Sequence, residues 1–134
     1  MKAQCQCGRL SVEAAGPSPA VVMCHCTACQ RRTGSPFGVL AYYPAAALTI
    51  AGEATRFART ADSGAEFEQF FCGNCGSTVY ARAGKHPGLI GVAVGAFGDP
   101  AYPPPVRSVW EEEGRHAWVH VPEAIPRFAR GVPK

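Results

Sequence analysis

The residues able to do chemistry in this sequence are its cysteines, seven in 134 positions, and they fall into three groups. Cys5-x-Cys7-Gly8 and Cys72-x-x-Cys75-Gly76 each place two thiols on a tight turn, with glycine supplying the backbone freedom that lets amides approach sulfur. Together they offer four ligands, enough to close a tetrahedral zinc site across 64 intervening residues and to contribute about 10 kcal/mol to folding. Cys24, Cys26 and Cys29 remain. Three sulfurs with a vacant fourth position suit a reactive zinc, and soft ligation suits an incoming thiol whose pKa the metal lowers. A second structural site completed by a histidine and an unmetallated redox trio are the alternatives. His25, with a candidate ligand on either side, reads as a surface or orienting residue.

The neighbours of the trio suggest what it would act on. Arg31 and Arg32 follow Cys29 directly and would put positive charge at a pocket mouth, suited to a thiol that carries carboxylates; the alternative is a solvated helix face. Ser35 and Phe37 could line the same pocket, Phe37 reading more readily as core. Trp110 and Trp118 read as core anchors, and Glu111-Glu112-Glu113 as a solvated turn. His86, His116 and His120 read as structural or exposed, with no spacing that singles out a proton shuttle.

Short strands must position these groups. Alternation or β-rich composition marks strands at Leu10 to Ala14, Phe37 to Tyr43, Leu48 to Ile50, Glu66 to Phe71, Ser77 to Ala81, Leu89 to Phe97, Val106 to Trp110 and Ala117 to Val121, with the apolar run Ala20 to Met23 leading into Cys24. Thr27-Ala28-Cys29-Gln30 has capping-box spacing, which predicts a helix of about two turns beginning at Ala28, capped by Thr27 and ended by Gly34. Such a helix sets the Cys29 sulfur beside the positive end of its dipole. Pro44-Ala45-Ala46-Ala47 predicts one helical turn.

Composition excludes other classes. The hydrophobic fraction is 47%, but 22 of those residues are alanine, and glycine plus proline fill 27 positions, which disfavours a helical bundle and favours strands joined by turns. The length suits one domain, residues 1–134. No apolar run long enough to span a membrane and no signal-peptide core is present, so a cytoplasmic protein is expected. An odd cysteine count without a secretory signal argues against a disulfide framework. The formal charge is +3, yet seven thiolates would take seven charges away and two zinc ions return four, leaving a neutral holoprotein with no electrostatic case for nucleic acid.

The segment Cys24-His25-Cys26-Thr27-Ala28-Cys29-Gln30-Arg31-Arg32-Thr33-Gly34-Ser35-Pro36-Phe37, followed by Phe71-Cys72-Gly73-Asn74-Cys75-Gly76-Ser77, resembles the glutathione-dependent formaldehyde-activating enzyme family, also called the centromere protein V family. Val94-Gly95-Ala96-Phe97-Gly98-Asp99-Pro100, Trp110, Trp118 and Ile125-Pro126-Arg127-Phe128 extend the resemblance. One departure is Arg107-Ser108-Val109-Trp110, where the family often carries a histidine before the first late tryptophan. The resemblance implies a mainly β, Mss4-like fold around zinc knuckles. It implies a structural zinc on Cys5, Cys7, Cys72 and Cys75 and a catalytic zinc on Cys24, Cys26 and Cys29. The implied activity forms or cleaves a carbon–sulfur bond, with S-hydroxymethylglutathione made from glutathione and formaldehyde as the named reaction. In that chemistry the substrate thiol loses its proton at the open metal position and its sulfur attacks an aldehyde carbon, so no strong general base is required. A zinc-stabilised protein-binding module and a thiol redox enzyme of the methionine sulfoxide reductase type are the competing readings.

Overall fold

The computed structural model describes residues 1–133; Lys134, the last residue of the expected 1–134 domain, lies outside the described residues. Among the described residues, ten strands form two sheets. In the smaller sheet β1 (Lys2–Gln4), β2 (Ser11–Glu13) and β5 (Thr49–Ala51) lie in the order β1-β2-β5, both pairings antiparallel. The larger sheet comprises β3 (Val21–Cys24), β4 (Gly38–Pro44), β6 (Thr55–Thr60), β7 (Glu66–Phe71), β8 (Thr78–Ala83), β9 (Leu89–Ala93) and β10 (Arg107–Val109). Its order is β10-β3-β4-β9-β8-β7-β6, antiparallel throughout except for the parallel pairing of β10 with β3. Among the described residues no helix is long and apolar enough to cross a membrane.

Strand β4 shows how one sequence serves two faces. Side chains alternate along a strand, so Val39, Ala41 and Tyr43 pack with the main core, where Leu10, Val12, Val79 and Ile90 are also buried. Gly38, Leu40 and Tyr42 point the other way and line a cavity. The first face stabilises the fold by removing apolar surface from water; the second is free to be shaped by function.

The cysteine turns hang between the sheets. Cys5 and Cys7 follow β1, and Cys72 and Cys75 lie between β7 and β8. Gly8 (φ 80°) and Gly76 (φ 79°) occupy the left-handed region that closes each turn and that L side chains rarely adopt. The result is the mainly β, Mss4-like arrangement of sheets around cysteine knuckles that the sequence implied.

Several local expectations are corrected. Helix α1 spans Thr27–Thr33, and its N-cap is Cys26, not Thr27: the Cys26 sulfur accepts the Cys29 N–H at 3.3 Å. Gln30 does not reach back in a capping box but donates to the carbonyls of His25 and Gly114, each at 2.9 Å. Gly34 ends the helix as expected, at φ 73°. The strand expected to run from Leu89 to Phe97 stops at Ala93, because Val94–Phe97 coil into a 3-10 turn closed by Gly98 at φ 59°. Ala117 to Val121 is no strand; Val119 and Val121 are buried beside Met23, and Arg115 donates to the Val119 carbonyl at 3.0 Å. The acidic run forms a one-turn helix, α2 (Glu111–Gly114), with Glu111 largely covered and bonded to Arg127. Trp118, expected in the core, is 74% exposed.

Candidate functional site

Two groups of sulfurs come together. Cys5, Cys7, Cys72 and Cys75 lie within 4.8 Å of one another, and so do Cys24, Cys26 and Cys29. In the first group Cys5 Sγ is 3.6 Å from Cys7 Sγ, which is 3.6 Å from Cys72 Sγ. Four sulfurs around one zinc at about 2.3 Å would stand about 3.8 Å apart, so this donor set fits the ion. Backbone donors already face the sulfurs, as with the Leu10 N–H on Cys5 at 3.3 Å. The Ser77 hydroxyl, with the Ser77 and Cys7 backbone, holds Cys75 down to about 5, so it offers the thiolate that a metal requires.

The second group is assembled by three elements. Cys24 ends β3, Cys26 caps α1, and Cys29 sits in its first turn, buried against Gly38 at the start of β4. The three thiols act on one another's ionisation, and Cys29 is the one shifted towards the thiolate. Hydrogen bonds from Cys24 and Cys26 and the positive charge of Arg32 pull its pKa down against the cost of burial. Cys24 is pushed up by its hydrogen bonds with Cys26 and Cys29 and by burial. Cys26 is raised as well, its lowering by Cys24 outweighed by Cys29 and by burial. Three soft donors at this spacing fit a zinc ion that keeps a position open.

This second group opens into a cavity of about 480 Å³, a size suited to a small-molecule ligand. Val22 and Cys24 of β3, the outward face of β4, Ala83 of β8, Phe67 of β7 and Arg59 of β6 supply its floor. The loop between β6 and β7, the Lys85-His86 turn, Trp110 and the segment Gly131 to Pro133 supply its walls. Cations and anions alternate there: Arg32, Arg59, Lys85 and Arg107 against Asp62, Glu66 and Glu113. Arg32 and Arg59 lie over the Phe67 ring, with guanidinium carbons 5.7 Å and 4.9 Å from its centroid.

Of the residues expected to contact a substrate, the structure brings Arg32 to the cavity and leaves Arg31 and Ser35 outside its lining. Arg31 is exposed, whereas Arg32 turns inward with Nε and Nη2 buried and without hydrogen-bond partners. His25 is fully buried rather than at the surface, its Nε2 2.9 Å from Ser108 Oγ, and its backbone N–H donates to Val109. It therefore pins the Cys24–Cys26 segment to β10, the orienting role in its sequence reading. Phe67 and Arg59 escaped the sequence reading because the strands that carry them lie far from the cysteine motif along the chain and meet it only through sheet order, whereas Tyr42, on the strand directly after α1, escaped because strand composition does not tell which face turns to the cavity.

The comparisons with known proteins agree with this picture. A search of curated proteins returned no match. A crystal structure of a Rhodobacter sphaeroides protein is similar over 72% of this chain and 86% of its own, with a TM-score of 0.57 and 24% identity, a likeness that shows the fold. The model of the glutathione-dependent formaldehyde-activating enzyme family matches residues 1–113, which hold all seven cysteines, and the chain belongs to that family.

Proposed function

We propose that this chain is a zinc-dependent carbon–sulfur lyase-type enzyme that joins glutathione to formaldehyde as S-hydroxymethylglutathione, or cleaves that adduct. In this reading residues 1–134 act as one domain, and the reducing cytoplasm keeps the cysteines as thiols. The observation that carries the proposal is the position of Cys24, Cys26 and Cys29, gathered within 4.8 Å at the floor of a cavity of about 480 Å³.

Cys5, Cys7, Cys72 and Cys75 would hold a structural zinc, and Cys24, Cys26 and Cys29 a catalytic one. When bound, the catalytic zinc would hold the substrate sulfur as a thiolate. The chain's own residues do the rest. Glutathione carries two carboxylates and one ammonium group, and the cavity presents cations and anions able to receive both. Arg32, its guanidinium buried beside Cys29 in the cavity lining, supplies the positive charge for a carboxylate. Phe67 adds apolar surface to the cavity lining beside the Arg32 and Arg59 guanidinium groups.

The test compares zinc per chain and the rate of hemithioacetal formation, followed by NMR, in the wild type and in the Cys24→Ser, Cys26→Ser, Cys29→Ser triple variant. Two zinc ions and catalysis in the first, with one zinc and no catalysis in the second, support the reading. Equal zinc content overturns the partition of the sulfurs, and catalysis by the triple variant overturns the assigned site. A sulfoxide-reduction assay on the same preparations separates the redox alternative.

A further inference from the structure

Tyr42 is the one phenol among the residues lining the cavity. It belongs to the outward face of β4, two pleats beyond Gly38, and Gly38 lies against Cys29 and Arg32. At about 3.3 Å per residue the two Cα positions stand about 13 Å apart. The three cysteines and the phenol line the same cavity, and the charges of Cys29 and Cys24 are felt at the phenol. Gly91, paired with Tyr42 on β9, leaves the ring its place: a Cβ there would stand 3.1 Å from Tyr42 Cε1 and 3.3 Å from Leu40 Cδ1. His86 meets the ring edge-on, with centroids 5.3 Å apart, and fixes its tilt.

The next residue behaves differently. The Tyr43 hydroxyl is used structurally, donating to the Gly16 carbonyl at 2.9 Å and pairing with Tyr102 at 2.8 Å. Among the described residues the Tyr42 hydroxyl has no such partner. Burial first, and then the charges of Cys29 and Cys24, push its pKa up to about 12, so the O–H stays intact as a donor at neutral pH. Tyr42 is half-buried and lines the same cavity as Cys24, Cys26 and Cys29, so its hydroxyl, unspent on the fold, is available to a ligand there.

Resting on the reaction proposed above, we propose that the Tyr42 hydroxyl is a catalytic residue that donates to the aldehyde oxygen as the substrate thiolate adds to the carbonyl carbon. A sulfur lone pair forms the carbon–sulfur bond, the carbonyl π pair moves onto oxygen, and the Tyr42 proton meets that charge. The proton given up earlier by the thiol returns to the phenol through solvent at the cavity mouth. The sum is thiol plus aldehyde to hemithioacetal, with no oxidant or reductant. Cleavage runs the same transfers backwards.

Tyr42→Phe removes the hydroxyl and no protein hydrogen bond, so folding and zinc content should match the wild type. Its kcat with glutathione and formaldehyde should fall about a hundredfold, the size of losing one oxyanion donor, while affinity for glutathione alone stays within twofold. A binding readout stands beside the kinetics. Wild type should bind S-formylglutathione, which offers a carbonyl oxygen, more tightly than S-ethylglutathione, and Tyr42→Phe should bind the two alike. A Tyr42→Phe enzyme within threefold of wild-type kcat, or one that keeps the preference for the carbonyl compound, overturns the assignment of Tyr42 alone. A wild type that accelerates no thiol–aldehyde reaction overturns the proposed function and this inference with it.

Discussion

Gly38 marks how closely the reactive sulfurs are packed. A Cβ there would stand 2.8 Å from Arg32 Nη2 and 3.5 Å from Cys29 Cβ, so Gly38→Ala must push the Arg32 guanidinium aside. Because Arg32 belongs to the cavity and the sulfurs do not have to move, this variant should keep its zinc but lose about tenfold in glutathione affinity, a loss of charge-assisted contact. Calorimetric titration checks it. Arg32→Ala should lose as much, and Arg31→Ala should bind as the wild type does. The two arginines could not be told apart from the sequence. Successive helix residues point about 100° apart, and the inward side is decided by β4 and by Phe67 on β7, whose position follows from tertiary sheet order. The sulfurs themselves were legible, since Cys-x-Cys-Gly, Cys-x-x-Cys-Gly and Cys-x-Cys-x-x-Cys fix their geometry within a few bonds.

Helix α2 and the chain after it form a strap across the end of the sheet. Trp110 N–H donates to the Arg130 carbonyl at 3.0 Å, and Glu111 accepts from Arg127 Nη2 at 2.6 Å and Nε at 2.8 Å. The Arg127 bond, with smaller help from Ser108 and against the cost of burial, lowers the Glu111 pKa from 4.5 to about 2. The folded-state value lies below the unfolded one. Its stabilisation is therefore fully present above pH 4.5 and is lost as pH falls towards 2. Glu111→Gln should lower stability at neutral pH by up to about 1 kcal/mol, the worth of an ion pair whose arginine stands partly in solvent. The difference between wild type and variant should shrink through that window, as read by denaturant unfolding at several pH values; a constant difference would show that the pair does not carry it. This strap was the least legible part of the chain. Glu111 looks like its two solvated neighbours until Arg127 is brought to it. Ala117 to Val121 has strand composition but no neighbouring strand to pair with. Strand β6 escaped notice for a related reason: at the sheet edge its Phe57 is 57% exposed, so burial imposes no alternation there.

At the scale of the whole molecule the two cysteine groups have different mechanical duties. Cys5 and Cys7 leave the small sheet and Cys72 and Cys75 leave the large one, so an ion held by these four joins sheets that otherwise meet only by packing and turn contacts. Cys24, Cys26 and Cys29 belong to neighbouring elements, β3 and α1, already fastened by the His25 and Gln30 hydrogen bonds. An ion there closes no long loop and has a position open to competing ligands. A structural zinc is worth about 10 kcal/mol or more, comparable to the whole stability of a domain, about 5–15 kcal/mol. Metal removal should therefore proceed in two stages. With rising concentration of a chromophoric chelator, the first equivalent of zinc should leave with all catalytic activity and no change in far-ultraviolet circular dichroism. The second should leave only as the β signal collapses. Cys72→Ser should show the collapse without chelator, and the Cys24→Ser, Cys26→Ser, Cys29→Ser variant should show the second stage alone. Loss of the β signal with the first equivalent would mean that the trio, and not the four-sulfur knuckle, ties the sheets together.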